Sequence, residues 1–239
     1  MNNIITSLAL TSRIPLGKYL SVNPDFKKSA THFPLAGYLA FGLFCAAYMP
    51  LKRVFHDEVI AKLIALIIVY FFFNIFHFDG FMDSFDGLLS QKPPEKMLEI
   101  MRSGSAGPMG VAAGVFYLAL KMYLIVKLNI VYLLVAFVVA RWAMVFSSVI
   151  AKPARPDGLG ALLLPIPVRY FALASLYLIP LIIGYKLSLL LPLCIVIACD
   201  ALIVHRVTRS INGLTGDTLG LITETNELIV LLMCVPGWF

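Results

Sequence analysis

Long apolar stretches alternate with short polar ones along this chain, and each apolar stretch is about as long as a membrane is thick. A helix needs about 20 mostly apolar residues to cross the hydrocarbon. Stretches of that kind lie near 33–50, 58–78, 109–127, 130–150, 167–184, 187–205 and 219–236. The fifth and sixth form one apolar region, divided by Gly184, Tyr185 and Lys186 and interrupted by Pro180 and Pro192. Six spans with a re-entrant segment would therefore also fit. There is no internal repeat and no low-complexity tract. The pattern predicts an all-α, polytopic integral membrane helix bundle of about 7 transmembrane helices, with six to eight allowed. It is expected to form a single domain over 1–239.

Composition agrees with this and narrows it. Hydrophobic residues make up 60% and charged residues 13%, against roughly 25% charged in an ordinary soluble domain. Residues 1–30 carry Arg13, Lys18, Lys27 and Lys28 with no long apolar core, so no cleaved signal is expected. Cys45, Cys194, Cys199 and Cys234 all sit in apolar stretches without a CxxC spacing, as small buried residues do. The net charge of +6 suits basic membrane-facing loops or an anionic substrate. No basic run is interleaved with aromatics, so no nucleic-acid partner is expected.

The basic residues also orient the chain. With a cytoplasmic N-terminus, those of the first segment and of 79–108, 152–169 and 206–218 share the cytoplasmic side. Only Lys52, Arg53, Lys127 and Lys186 then fall outside. Lys62, Lys121 and Arg141 lie within spans. The same three segments hold nearly all the acidic and glycine-rich chemistry of the chain.

Three constellations carry that chemistry. FHFDGFMDSFDG (76–87) follows directly on AKLIALIIVYFFFNI. On a helix, Asp79, Asp83 and Asp86 fall within about 60° of one another. Carboxylates so placed repel unless a cation lies between them, and oxygen-only ligands point to Mg²⁺. Gly80 and Gly87 leave room for a ligand at the backbone. His77 is expected to point away from Asp79.

The second is INGLTGDTLGLITETNELIVLL (211–232), which sets Asp217, Glu224 and Glu227 within about 80° on a helix, Gly220 on the same side. Acids inside a span are functional candidates by default. A structural pair with a buried base such as Arg141 is the competing reading. The preceding loop, through Gly216, could offer backbone N–H groups to a phosphate.

The third is AKPARPDGLG (151–160), where Lys152 and Arg155 could meet phosphate oxygens or simply anchor the cytoplasmic face. Arg13 in LTSRIPLG and Arg102 in MRSGSAGPMG are weaker phosphate candidates. Together these features describe a membrane-embedded site for phosphoryl chemistry, in which a metal neutralises a diphosphate and a carboxylate takes a hydroxyl proton.

FHFDGFMDSFDGLLS resembles the HxDGxxDxxDG signature of the cobalamin synthase family, the adenosylcobinamide-GDP ribazoletransferases. LTSRIPLG, FPLAGYLAFG, LEIMRSGSAGPMG, ARPDGLG and LTGDTLGLITETNE are similar to the family's other segments, in order along most of the chain. The resemblance implies that adenosylcobinamide-GDP and α-ribazole, or its 5′-phosphate, combine with release of GMP in the cytoplasmic (inner) membrane, with Mg²⁺ as cofactor. It implies Asp79, Asp83 and Asp86 as metal ligands and Asp83 or Asp86 as the base. Asp217, Glu224 and Glu227 would serve a second metal or the nucleoside, and Arg102, Lys152 and Arg155 the phosphates. A homo-oligomer, or a complex with other late enzymes of the pathway, is compatible with it. The chain departs from the family's IMRDSR pattern: Ser103, Gly104 and Ser105 stand where Asp, Ser and Arg are usual.

Two rivals remain. A CDP-alcohol phosphotransferase also uses spaced aspartates, but Phe81-Met82-Asp83-Ser84 lacks that signature's Ala-Arg. An ion or metal transporter would spread acids near the midplane of several spans, whereas here they cluster towards one end.

Overall fold

The computed structural model describes residues 2–235, and every regular element among them is helical. The elements are α1 (Asn2–Thr11), α2 (Phe26–Phe55), α3 (Glu58–Leu89), α4 (Pro94–Arg102), α5 (Pro108–Lys127), α6 (Val131–Ile150), α7 (Gly158–Leu163), α8 (168–185), α9 (Leu190–Ile211) and α10 (Gly216–Cys234). The last residue of the seventh expected span, 236, lies outside the described residues.

Five helical stretches are long and apolar enough to cross a membrane, of which Val168–Ile211 is the longest. That stretch is broken at Lys186, where the backbone turns to φ 52°, and its halves run in opposite directions. Ile166 N–H donates to the Ser148 carbonyl at the end of α6. Tyr185 lies beside Val131 at the start of α6. Leu214 returns to Lys152, just past the end of α6. The expected division of 167–205 into two passes is therefore what the chain adopts. Among the described residues, α2, α3, α5, α6, α8, α9 and α10 run along the bundle.

Helix ends are set by local chemistry. Asp57 accepts the N–H groups of Val59 and Ile60 to start α3 (2.7 and 3.1 Å). Pro108 opens α5, where a missing N–H costs nothing. Thr215 and Thr218 form a reciprocal capping box at the start of α10. At the far end of the bundle, Lys62 reaches the carbonyls of Val126, in the last turn of α5, and of Leu128 just past it (3.1 and 3.0 Å).

Two helices make the centre. Residues 135–145 of α6 are buried on every side, and α10 is buried over nearly its whole length. This explains why α10 can carry polar groups that a lipid-facing helix could not. One turn of α3, Tyr70–Asn74, is a π-helix. Its extra residue aims Tyr70 and Asn74 at α10, and Arg13 N–H donates to the carbonyl of Phe72 in the same turn (2.7 Å).

Candidate active site

Two glycines let α3 and α10 touch backbone to backbone. A Cβ on Gly80 would stand 2.7 Å from the Cα of Asp217, and one on Gly220 would stand 2.5 Å from the carbonyl oxygen of His77. Both distances are below any real Cβ contact, so side chains at either position would push the helices apart. Gly80 thus makes room for a helix rather than for a ligand. Gly87 likewise faces the Met101 side chain of α4.

The crossing places Asp217 opposite the aspartate turns of α3. Asp83 is half-buried, with Asp79, Asp217 and Asp86 as its acidic neighbours. Arg155 Nη2 lies 3.6 Å from Asp217, and its Nη1 is buried without a partner. A cavity of ≈ 350 Å³ opens between α1, the start of α2, α3, α7 and α10; Asp79, Asp217, Arg155 and Gly216 line it together with His77 and several apolar residues.

The loops around the mouth are pinned. Ala154 N–H donates to Leu214 O and Leu214 N–H to Lys152 O (2.8 and 2.9 Å). Gly213, at φ 159°, packs so tightly on this partner that a Cβ would meet Lys152 O at 2.5 Å. Arg102 pairs with Asp157, which also faces Arg155 Nε at 3.7 Å. A chain of alternating charge thus ties the exposed helix α4 to the cavity mouth. Ser103 and Ser105 hydrogen-bond to each other (2.9 Å), so two of the three departures from the IMRDSR pattern partner one another.

The structure distributes the candidate residues among different surroundings. Asp86 does not converge with Asp79 and Asp83. Its two carboxylate oxygens accept the N–H groups of Gly107 and Gly110 at the start of α5 (2.7 and 2.8 Å). There a carboxylate meets orphan donors and the positive end of the helix dipole. Among the described residues, no three His, Cys, Asp or Glu side chains are gathered as a metal-ligand group. Neither Asp83 nor Asp86 lines the cavity. Arg13 lies outside it too, its guanidinium 4.6 Å from the ring centre of Phe71. The Lys152 side chain is exposed. His77, by contrast, does line the cavity. On the helical wheel Phe76 and Gly80 lie between His77 and Asp79 at about 100° per residue, and the bare glycine lets the cavity reach both flanks.

Glu224 and Glu227 belong to a different structure. Both are fully buried and lie outside the cavity lining. Arg141 Nη1 donates to Glu227 (2.9 Å), and Lys121 Nζ donates to Glu227 and Glu224. Tyr70, Tyr117 and Asn74 complete the shell around them. Two acids and two bases balance, which is how charge is tolerated in a low-dielectric interior. Glu227 is paired with Arg141, the buried base named in the competing reading, and Lys121 joins the pair. A smaller buried cluster sets Asp200 between Ser147 and Asn226 (3.0 and 2.6 Å). Its only sequence signal is a lone acid within an apolar span.

A profile of the cobalamin-5-phosphate synthase family matches residues 3–235. Among curated proteins, the adenosylcobinamide-GDP ribazoletransferase of Thermosipho africanus is 33% identical over 238 residues, covering 98% of each chain. That of Caldanaerobacter subterraneus subsp. tengcongensis is 36% identical over 242 residues, covering 96% of each. That of Alkaliphilus metalliredigens is 33% identical, covering 100% of this chain and 98% of its own. No solved structure matches.

Proposed function

The chain belongs to the cobalamin-5-phosphate synthase family, and from that membership we propose that it joins adenosylcobinamide-GDP to α-ribazole, or to α-ribazole 5′-phosphate, releasing GMP. The observation that carries the reading is the close backbone crossing of α3 and α10 at Gly80 and Gly220, beside a cavity that Asp79, Asp217 and Arg155 line together. Acids and a guanidinium around one opening suit a diphosphate and an attacking hydroxyl.

The donor set fits Mg²⁺. Its oxygens are hard, and Mg²⁺ is commonly held by one or two carboxylates plus substrate phosphates rather than by an all-protein cage. Asp79 and Asp83, one helical turn apart, would hold it, and it would supply neutralisation of the diphosphate charge. Arg155, with one nitrogen buried and unpaired, would turn from Asp217 onto a phosphate oxygen. Asp217, which lines the cavity, is then freed to take the proton of the ribose hydroxyl. The new bond forms between that ribose oxygen and the phosphorus attached to cobinamide, while the bond from this phosphorus to the GMP oxygen breaks. Arg102, tied to Asp157, would hold α4 over the departing nucleotide.

The excess of basic residues at this end of the bundle supports a cytoplasm-facing site in the cytoplasmic membrane, with the N-terminus on the same side. The roles are tested by comparing Asp217→Asn with wild type. The variant should lose about 10²–10⁴-fold in kcat, the worth of a general base, with KM for both substrates little changed. Wild-type kcat in Asp217→Asn would remove Asp217 as the base.

A further inference from the structure

We propose that the far end of the bundle, opposite the carboxylates, holds a binding site for an anionic membrane phospholipid, whose phosphate meets Lys52 and Lys127. The site depends neither on the transfer reaction nor on which way the chain faces.

It is a second cavity, of ≈ 510 Å³, bounded by the end of α2, the start of α3 and the turn from α5 to α6. Lys52, Glu58, Lys62 and Lys127 line it together with Tyr48 and Met49. Three ammonium groups thus accompany one carboxylate. Glu58 is shared by Lys52 (3.1 Å) and Lys62 (3.2 Å). Lys62 also donates to the carbonyls of Val126 and Leu128, so all three of its N–H groups are engaged. Lys52 has donors left after Glu58. Lys127 is exposed in the last turn of α5 and has no acidic partner among the described residues. The lining therefore carries more positive charge than Glu58 neutralises, and the free donors are on Lys52 and Lys127.

Depth makes the anion a lipid's. Lys52 lies within a turn of the end of α2, and Lys127 is the last residue of α5. The ends of membrane-crossing helices lie at the level of the headgroups. Met49 lines the same cavity and is 53% exposed. An acyl chain attached to the phosphate would cover that apolar surface, and a free phosphate would leave it bare. Anionic headgroups bind in basic pockets between membrane helices for these reasons.

Scarcity adds to the case. The sequence leaves Lys52, Arg53, Lys127 and Lys186 as the basic residues of this end, because positive charge collects on the opposite face. Two of these four meet in one cavity, with Lys62 behind them. Orientation of the chain does not require that gathering. A phosphate between Lys52 and Lys127 would bridge α2 to α5, alongside the tie that Lys62 already makes, and so stabilise this end of the fold.

The test titrates the purified full chain, in neutral detergent, with phosphatidylglycerol, with phosphatidylcholine of the same acyl chains, and with inorganic phosphate. Native mass spectrometry counts bound lipid, and thermal unfolding is followed in parallel. Wild type should prefer phosphatidylglycerol about tenfold, roughly 1.4 kcal/mol, and unfold at a higher temperature with it. Lys52→Gln/Lys127→Gln should bind the two lipids equally. Both side chains are exposed, and Glu58 keeps Lys62 as its partner, so the double variant should fold. Arg53→Gln, at the same end but outside the cavity lining, should keep the preference. A double variant that still prefers phosphatidylglycerol, or an equal loss in Arg53→Gln, overturns the site. Inorganic phosphate that raises the unfolding temperature as much as the lipid does would overturn the lipid as its occupant.

Discussion

Replacing Gly80 by alanine adds one methyl group where α3 meets α10, and its consequences can be worked through. The new Cβ would stand 2.7 Å from the Cα and 2.8 Å from the carbonyl oxygen of Asp217. Carbon atoms pack best at roughly 3.5–4.0 Å, so the helices must part by roughly 1 Å. Both opposing atoms are backbone, so no side chain can swing aside. Overpacking of this kind costs about 1–3 kcal/mol, while alanine in a helix gains about 0.5–1 kcal/mol over glycine. Net destabilisation is then roughly 0–2.5 kcal/mol, which the bundle should survive. Activity should suffer more, because a shift of about 1 Å in a catalytic group costs about 10²-fold. Gly42 is the control. It lies in α2 with nothing within 4 Å, so Gly42→Ala should stabilise by about 0.5–1 kcal/mol and leave turnover alone. Thermal unfolding and turnover, both in nanodiscs, read the two quantities separately. Wild-type kcat in Gly80→Ala would refute the claim that this contact sets the site.

Other predictions follow from the same geometry. Lys121→Met leaves two buried carboxylates facing one guanidinium and should cost about 3–5 kcal/mol; adding Glu224→Gln restores the balance and should recover part of the loss in thermal unfolding. Asp83→Asn should lower Mg²⁺-dependent turnover at least about 10²-fold with an unchanged unfolding temperature; retained activity would remove its metal role. Asp86→Ala should do the converse first, losing roughly 1.5–3 kcal/mol per charged hydrogen bond to α5. Cysteines at Lys96 and Lys152, both exposed, should react with impermeant reagents only from the cytoplasm in a background without native cysteines. A cysteine at Asn129, exposed at the other end, should react only from outside, and the reverse pattern would invert the orientation.

The passes of the bundle were legible because burial in lipid imposes length: each run is long enough to cross, and Gly184-Tyr185-Lys186 marks the one place where two runs meet. Angles within one helix were legible as well, which is why Asp79 and Asp83 share a face. What a single helix cannot reveal is its partner. Asp86 shares that face, yet its carboxylate is drawn to the bare N–H groups at the start of α5, a segment 21 residues on. Gly80 and Gly87 looked like openings for ligand and are contacts between helices. Glu224 and Glu227 looked like site residues, because buried acids are usually functional. Here bases on two other helices, Lys121 and Arg141, neutralise them. The π-turn at Tyr70–Asn74, which makes that network possible, has no signature in the apolar run that contains it.

Transfer at a single site is tested most directly by one measurement. Purified protein in lipid is given Mg²⁺, adenosylcobinamide-GDP and α-ribazole, and GMP and the cobalamin product are followed together. Equal amounts of the two should appear, neither without α-ribazole, and neither from Asp217→Asn at a comparable rate. GMP released without acceptor, or no product from a folded sample, would contradict it.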